Sequence, residues 1–282
     1  MNTIKPLSII TVNLDDKSGL SRTVESVKSQ NFQDFEFIII DGGSKDGSLE
    51  VIKENETLID YWVSEKDSGI YNAMNKGIKR ATGKYILFLN SGDYLIDENA
   101  FDYDFSNEGY DILFGHHTTT TVDGTVRINT YEDRNIDLGF FVVSTLPHCS
   151  TFIKKSLFDL LGYYDVSYKI CADWVFFFRA VIFERASIIR LERPIGVFEL
   201  GGISTDKSNI EIVKSERERF LNSVLDKSSI TYIRQTYPLF KEYYYLKKEL
   251  ENQKKEADEY YSKISNLKGI GLLMRFKKFF KL

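Results

Sequence analysis

The stretch that decides the fold runs from Tyr85 to Asn99 and reads YILFLNSGDYLIDEN. An apolar and aromatic run up to Leu89 gives way at once to four polar residues, Asn90, Ser91, Gly92 and Asp93. This pattern predicts a buried strand that ends in a tight turn with a carboxylate at its tip. Open α/β sheets bind ligands just beyond the carboxyl ends of their parallel strands. Ser-Gly-Asp is equally typical of an ordinary surface turn, which is the alternative interpretation.

Three further apolar segments precede this strand, and helical segments separate them. We expect strands at 7–13, 35–40, 60–64 and 84–89, with helices at 20–30, 49–54 and 70–82 between them. Strands that alternate with helices are typical of βαβ units with right-handed crossovers. The N-terminal part therefore predicts the α/β class, with a mostly parallel, Rossmann-like central sheet flanked by helices.

Beyond about residue 100 the pattern is less regular. We expect a strand at 110–115, a hairpin around Asp123-Gly124 and a loop over 131–147. Helices at 155–161 and 172–183 and strands at 186–190 and 195–199 should follow. From 209 to about 267 we expect long charged helices outside the main core. These elements predict a domain over 1–205, with halves 1–100 and 101–205. A helical C-terminal extension over 206–282 completes the chain.

Composition narrows the functional class. The 282 residues are 43% hydrophobic and carry a net charge of −4, so no basic field points to nucleic acid. Cys149 and Cys171 form no CxxC pair, which favours a reducing compartment. The first residues lack the basic and apolar regions of a signal peptide, and no apolar run approaches about 18 residues. We therefore expect a cytoplasmic protein.

A second carboxylate, Asp41, follows a buried strand at the same expected edge of the sheet. The glycines Gly42 and Gly43 that follow let the backbone approach a ligand closely. The segment matches neither the dinucleotide GxGxxG nor the GxxxxGK[ST] phosphate loop. Asp41 could accept a hydrogen bond from a base N–H such as the uracil imide. A plain βα turn is the alternative.

The segment SEKDSGIYNAMNKG, residues 64–77, places four polar or small residues where a loop leads into a helix. They are Asp67, Gly69, Tyr71 and Asn75. Asn75 faces inward at i,i+4 spacing from Tyr71, and an inward asparagine needs a hydrogen-bond partner. A ligand site is one interpretation, and a helix start followed by core packing is the other.

In this order and spacing, the motifs resemble glycosyltransferase family 2, whose members have the GT-A fold. The resemblance rests on SIITVN at 8–13, DGGSKDG at 41–47, DSGIYNAMNKGI at 67–78 and ATGKYILFLNSGD at 81–93. Each motif alone is weak, but the four in order are specific. The chain resembles bacterial surface-polysaccharide transferases of the colanic acid type.

The resemblance implies an inverting enzyme that moves a sugar from a nucleotide-diphospho-sugar, expected to be a UDP-sugar, to a glycan or lipid-linked glycan. The donor-binding residues it implies are Asn13, Asp41, Gly43, Asp67, Gly69, Tyr71, Asn75, Asn90, Ser91, Gly92 and Asp93. It also implies a Mn²⁺ or Mg²⁺ ion held by Asp93. The first acidic residue of the family's D-x-D motif is replaced, so the predicted protein ligand set is sparse.

The second half carries a shorter resemblance, in PHCSTF at 147–152 and SLFDLLGYYDVSYKICADW at 156–174. It implies that Asp173 is the catalytic base, a role that needs a carboxylate beside the acceptor hydroxyl. A helix N-cap is the alternative. The resemblance also implies acceptor or donor-closure roles for His148, Trp174, Gly201, Gly202 and Ser204. A structural histidine and a core tryptophan are the alternatives for His148 and Trp174.

The C-terminal tail at 268–282, KGIGLLMRFKKFFKL, is basic and has apolar residues at helical spacing. This pattern is typical of a helix lying in a membrane interface, here at the inner face of the cell membrane. Packing on its own domain or on a partner subunit is the alternative. The charged helices that precede the tail could pair two subunits as a homodimer.

Two other functions compete with a transferase. A sugar-nucleotide nucleotidyltransferase should carry a glycine-rich loop and a basic residue after the first strand, where this chain has Asn13-Leu14-Asp15-Asp16. The other is a catalytically silent, membrane-associated sugar-binding module. Replacing Asp173 by asparagine separates this module from an enzyme.

Overall fold

The computed structural model describes residues 4–105, 109–120, 125–131 and 135–265. The chain divides into two compact units, residues 1–231 and 232–282. The predicted domain boundary after residue 205 falls inside the first unit.

The first unit begins with the predicted alternation of strands and helices. Its strands are β1 (Leu7–Asn13), β2 (Phe35–Asp41), β3 (Tyr61–Ser64) and β4 (Tyr85–Phe88), and its helices are α1 (Lys17–Lys28), α2 (Ser48–Glu54) and α3 (Ile70–Arg80). The strands lie in the order β3-β2-β1-β4, and every neighbouring pair is parallel. The α/β class predicted from the sequence is confirmed.

Burial explains why these strands read as continuous apolar runs. Every residue of β1 and β4 is buried, as expected for parallel strands that are covered on both faces. Helix α3 lies close against β1 because Gly77 has no side chain. A Cβ atom there would come within 2.5 Å of Ile10.

The rest of the sheet is mixed. Its strands are β5 (Tyr94–Leu95), β6 (Ile112–Thr120), β7 (Val126–Asn129), β8 (Thr151–Lys154) and β9 (Ile188–Glu199). The sheet continues from β4 through β8, β6 and β9 to β5, and β7 pairs with β6. Strand β8 is antiparallel to both of its neighbours, whereas β6 and β9 are parallel. Parallel pairing thus runs through the four N-terminal strands and recurs between β6 and β9.

The expectation of a loop over 131–147 is wrong, because this segment contains helix α4 (Leu138–Val143). Asp137 caps the helix by accepting a hydrogen bond from the backbone N–H of Phe140 at 2.9 Å. Phe140 and Phe141 are fully buried. A short apolar helix of this kind shows too few turns for its periodicity to be recognised.

Of the later elements, the two helices form where they are expected, whereas the strands differ. Helix α5 (Ser156–Leu161) and helix α6 (Ala172–Phe178) form, and a π-helical turn over Arg179–Phe183 continues α6. The two strands expected at 186–190 and 195–199 are one strand, β9. Its register against β6 shifts on either side of His116, which accounts for the apparent break.

Two predicted features lie outside the described residues. One is the turn at Asp123-Gly124, although the flanking strands β6 and β7 do pair antiparallel. The other is the basic tail at 268–282.

Two long helices follow the sheet, α7 (Ile210–Val224) and α8 (Lys227–Ser265). Their helical character is as expected, but the expectation that they lie outside the main core is wrong for α7. Phe220 of α7 packs edge-on against Trp174 and Phe178, with ring centroids 5.4 and 5.0 Å apart. Leu221 is also fully buried.

Across the described part of the chain, no helix is both long enough and apolar enough to cross a bilayer.

Candidate functional site

A cavity of about 770 Å³ in the first unit lies at the carboxyl ends of β1 and β4. Most of the site residues expected from the sequence line it, namely Asn13, Asp67, Gly69, Tyr71, Asn90, Ser91, Asp93, His148, Asp173, Gly201, Gly202 and Ser204. They come from both halves of the first unit. This edge of the sheet is where parallel strands end together.

Asp93 lies in the turn after β4 and is almost fully buried. The Glu199 backbone N–H donates to Asp93 Oδ1 at 3.1 Å, and the Thr23 hydroxyl donates to the Asp93 carbonyl at 2.6 Å. Gly92, at φ +95°, holds a conformation that side chains rarely adopt. Gly92 does not line the cavity, so it shapes the turn that presents Asp93.

The electrostatic environment of Asp93 is unusual for an aspartate. Burial raises the pKa of its carboxyl to about 7, and the negative charge of Glu199 acts in the same direction. The positive charge of Arg22 opposes this shift, but Arg22 forms an ion pair with Glu199 at 2.6 Å. Too little positive charge therefore lies near the Asp93 carboxylate to balance its negative charge at neutral pH.

Asp173 lies in the first turn of α6 and lines the same cavity. The Tyr71 hydroxyl on α3 donates to Asp173 Oδ1 at 2.7 Å and to the Ile170 carbonyl at 2.5 Å. Burial raises the pKa of Tyr71 well above its usual value, and the charge of Asp173 adds to this effect. Tyr71 therefore keeps its proton and holds the Asp173 carboxylate in one orientation.

Glu216 of α7 fixes the segment that leads into α6, and sequence reasoning missed it. It is buried, and its carboxylate accepts hydrogen bonds from the backbone N–H groups of Lys169, Ile170 and Cys171 at 2.6, 3.1 and 3.0 Å. A glutamate in a charged helix usually faces solvent. The available signal was its i,i+4 spacing from Phe220, which marks the buried face of α7.

Asp41 lies outside the cavity lining, because the protein's own groups surround it. Its two oxygens accept five hydrogen bonds of 2.5 to 3.1 Å, from Asn13 Nδ2, the Gly43 N–H, the Ser44 N–H, Ser44 Oγ and Ser64 Oγ. A nucleobase could reach this carboxylate only by displacing one of these donors. Gly43, at φ +82°, serves the same turn.

Asn13 lines the cavity and also contacts the turn of Asp41. Its Nδ2 group donates to Asp41 at 2.7 Å and to Ser44 Oγ at 3.1 Å. Its Oδ1 is buried and has no hydrogen-bond partner among the described residues. Asn13 therefore keeps an unpaired acceptor at the carboxyl end of β1.

Two residues predicted to contact a ligand serve the fold instead. The Asn75 side chain exchanges two hydrogen bonds with the backbone of Tyr164, at 2.8 and 3.0 Å, which uses both ends of its amide. Trp174 belongs to the core, where its Nε1 donates to the Phe141 carbonyl at 2.9 Å. Neither residue lines the cavity, which corrects the expected donor contact of Asn75 and the expected pocket contact of Trp174.

Asp67 lines the cavity as an ion-paired group. Its carboxylate contacts the ammonium of Lys76, which also reaches Glu65 at 2.7 Å. One ammonium is thus shared by two carboxylates, and Asp67 Oδ2 is buried with no hydrogen-bond partner among the described residues. Gly69 precedes α3 at φ +134°, and a Cβ atom there would meet nothing within 4 Å, so the backbone borders open space.

His148 forms part of the cavity wall. Its Nε2 lies 2.9 Å from the Tyr164 hydroxyl, and its ring stacks on Phe88 with centroids 4.7 Å apart. Burial lowers the pKa of His148 despite the nearby charge of Asp173. A neutral imidazole therefore faces the cavity at neutral pH.

The loop after β9 borders the cavity on the side of Asp93. Gly201, at φ +109°, donates its N–H to Thr205 Oγ1 at 2.9 Å, while Gly202 and Ser204 remain exposed. Glu199 connects this loop to the Asp93 turn and to Arg22 on α1. Glu199 is a second residue that sequence reasoning missed, since only the following Gly-Gly pair carried a signal.

The residues fit a hydrated divalent cation. Within the described residues, no group of three His, Cys, Asp or Glu side chains could hold a metal ion. However, Asp93 is buried, and its negative charge is not balanced by nearby positive charge. Asn90 Oδ1 is a buried acceptor with no hydrogen-bond partner in the described part of the chain. Mg²⁺ and Mn²⁺ accept one or two protein oxygens and take the rest from water and phosphate.

The raised pKa of Asp93 predicts a stability cost at neutral and alkaline pH. Its folded pKa of about 7 exceeds the ordinary value of 3.8, so stability falls as pH rises between these values. Asp93→Asn should therefore stabilise the metal-free protein at pH 8 by about 4 kcal/mol, and this gain should largely disappear toward pH 4. Urea unfolding in EDTA measures both values.

Asp34→Asn is the matched control for this prediction, because the Asp34 side chain is mostly exposed. It should show no comparable gain at pH 8. Equal stability of the wild type and Asp93→Asn at pH 8 would contradict the assigned environment of Asp93.

Known proteins resemble this chain in sequence. The model of the family described as "Glycosyl transferase family 2" matches residues 8–179. A glycosyltransferase of Mycobacterium tuberculosis, itself named uncharacterized, is 34% identical over 190 residues, which cover 64% of this chain and 71% of that relative. The PGL/p-HBAD biosynthesis glycosyltransferase of the same organism is 28% identical over 219 residues, covering 73% and 82%.

The fold also has a match among solved structures. The crystal structure of S. aureus TarS 1-349 in complex with UDP-GlcNAc superposes with a TM-score of 0.61 at 16% identity, covering 80% of this chain and 70% of that one. Another crystal structure contains a longer TarS chain, and this protein covers 42% of it. The family match extends from β1 to residue 179, one residue beyond α6, and so includes both Asp93 and Asp173. The chain therefore belongs to glycosyltransferase family 2 and has the GT-A fold.

Proposed function

We propose that this protein is an inverting glycosyltransferase of surface polysaccharide biosynthesis. It transfers a sugar from a nucleotide-diphospho-sugar, most readily a UDP-sugar, to a hydroxyl of a glycan or lipid-linked glycan. The observation that carries the proposal is that Asp93 and Asp173, from opposite halves of the first unit, line one cavity. The TarS complex with UDP-GlcNAc supports the choice of donor class.

Asp173 acts as the base in this proposal. Its carboxylate removes the proton of the acceptor hydroxyl, and the oxygen attacks the anomeric carbon from the face opposite the diphosphate. The bond from the anomeric carbon to the diphosphate oxygen breaks, and the nucleoside diphosphate leaves with the electron pair. One displacement inverts the configuration, and Tyr71 holds the base in position throughout.

The nucleoside part of the donor is recognised through Asn13. Its unpartnered Oδ1 accepts a hydrogen bond from a base N–H or a ribose hydroxyl, since the cost of leaving this buried oxygen unpaired is then removed. Asp41 takes the indirect role of holding the other end of the Asn13 amide. This replaces the direct contact between Asp41 and the base that the sequence suggested.

Asp93 and Asn90 are the residues that would hold a divalent cation. When bound, the ion would balance the charge that develops on the leaving diphosphate. Asp93 accepts the Glu199 N–H through one oxygen, which orients its carboxylate in the turn after β4.

The acceptor class and the cellular location are predictions from the sequence. Contact of residues 268–282 with the inner face of the membrane stays a prediction, because these residues lie outside the described part. A cytoplasmic location stays a prediction as well.

Asp173→Asn tests the proposal. Loss of the base should lower kcat by about 10²- to 10⁴-fold, while the affinity for UDP stays within twofold of wild type. Donor hydrolysis in a panel of UDP-, GDP- and TDP-sugars with Mn²⁺ measures turnover, and calorimetry measures UDP binding.

Asp165→Asn is the matched control, since Asp165 is an exposed aspartate on the segment leading to α6. It should leave turnover unchanged. A sugar-binding module without activity would bind a donor and be indifferent to Asp173→Asn. No turnover of any donor by the wild type would favour that alternative.

Glu216→Gln tests the support of the base. A neutral amide offers one acceptor oxygen in place of two, so the segment 169–171 should loosen and Asp173 should shift. We expect kcat to fall about 10- to 100-fold with KM and UDP affinity nearly unchanged. Glu211→Gln on the exposed face of the same helix is the control. A matching loss of UDP affinity would indicate a general structural defect instead.

The pKa of Asp93 predicts how cation binding depends on pH. A proton competes with the ion for this carboxylate, so Mn²⁺ affinity in the presence of UDP should fall about tenfold per pH unit below pH 7 and level off above it. Asp93→Asn should remove most of the binding. Asp16→Asn, at another aspartate of the cavity wall, should retain it. Calorimetric titration with Mn²⁺ between pH 5.5 and 8.5 covers the range, and unchanged affinity in Asp93→Asn would exclude the assigned site.

A further inference from the structure

Helix α8 carries a solvent-exposed apolar stripe in the second unit. Leu239, Tyr243, Leu246, Leu250 and Tyr260 are each 57% to 67% exposed in the single chain. Large apolar side chains that recur on one helix face usually mark a surface that another element covers. Pro238 lies within α8 directly before this stripe.

The stripe follows a heptad repeat. Counting Tyr243 as position a, the a positions are Tyr243, Leu250 and Ala257, and the d positions are Leu239, Leu246, Gln253 and Tyr260. Apolar a and d positions that continue over about three heptads are typical of a coiled coil. The repeat from 239 to 260 corresponds to about 33 Å of helix.

The charged residues beside the stripe are sorted by sign. Glu242, Glu249 and Glu256 occupy the g positions, whereas Lys247 and Lys254 occupy e positions. All five side chains are exposed. In a parallel pair, each g residue faces the e residue of the next heptad on the partner helix. Glu242 would then meet the partner's Lys247, and Glu249 would meet the partner's Lys254.

The same sorting disfavours the other arrangements. An antiparallel pair would bring g against g and e against e, so glutamates would face glutamates and lysines would face lysines. A helix that lies on an anionic membrane carries a basic polar face, but the polar face of α8 between 239 and 260 mixes acidic and basic residues.

We propose that α8 mediates a parallel two-stranded coiled coil between two copies of this chain. The a and d residues over 239–260 form the buried seam, and the e and g charges set the orientation. Gln253, a polar residue at a d position, favours the in-register alignment, because any other alignment would bury its amide against an apolar side chain.

The mass of the full-length chain in solution tests the pairing. Wild type should have twice the 32.7 kDa of one chain in light scattering at micromolar concentration. Leu246→Glu buries a charge in the seam and should reduce the mass twofold. Leu160→Glu is the matched control, because Leu160 on α5 is 65% exposed but lies outside the repeat. It should leave the dimer intact.

Cross-linking tests the orientation. Gln253→Cys should form a disulfide-linked dimer under mild oxidation, because d residues of the same number face each other in a parallel pair. Lys255→Cys, at an outward f position, should not. The native cysteines are both buried, so they do not compete.

Three results would overturn the proposal. The first is a wild type with the mass of one chain, whether or not it floats with phosphatidylglycerol vesicles. The second is a dimer that persists in Leu246→Glu. The third is equal cross-linking of the two cysteine variants. A trimeric mass would also reject the two-stranded form.

Discussion

The structure depends on one buried carboxylate, that of Asp41. It receives donors from the end of β1, the end of β3 and the turn after β2, and so ties the carboxyl ends of three strands together. Burial alone would raise the pKa of Asp41, but the hydrogen bonds of Ser44, Ser64 and Asn13 hold it below its usual value. An ionised group that is fully satisfied in this way is rigid, because every shift of a strand end breaks a charge-assisted bond. These bonds also hold the unpaired Oδ1 of Asn13 in position.

A second constraint joins the two halves of the first unit. The segment before α6 is held from one side by the Tyr71 hydroxyl and from the other by the Glu216 carboxylate. Both contact the backbone at Ile170, three residues before Asp173. The position of the base is therefore determined jointly by α3 of the N-terminal half and by α7, which lies beyond the region that the family model matches. The residues next to Asp173 in the sequence therefore do not by themselves position its side chain.

Much of this arrangement could be predicted from the sequence, and the limits have physical causes. The apolar runs of β1, β2 and β4 are continuous because both faces of the parallel sheet are covered, so their pattern is strong. The polar residues at the ends of β1 and β4 meet at one edge, which is why Asn13 and Asp93 share a cavity. Helix α4 has too few residues to reveal a helical period. Asn75 and Glu216 bond to backbone groups distant in the chain, and no local pattern indicates such partners.

The contact between Glu216 and residues 169–171 has a consequence for engineering. One way to alter specificity is modular exchange, in which the acceptor half of one protein is grafted onto the donor half of another. In this chain such a graft would separate Asp173 from its support unless α7 travelled with it, since the matched region ends at residue 179. The smallest transplantable block on the acceptor side therefore extends to Val224, where α7 ends.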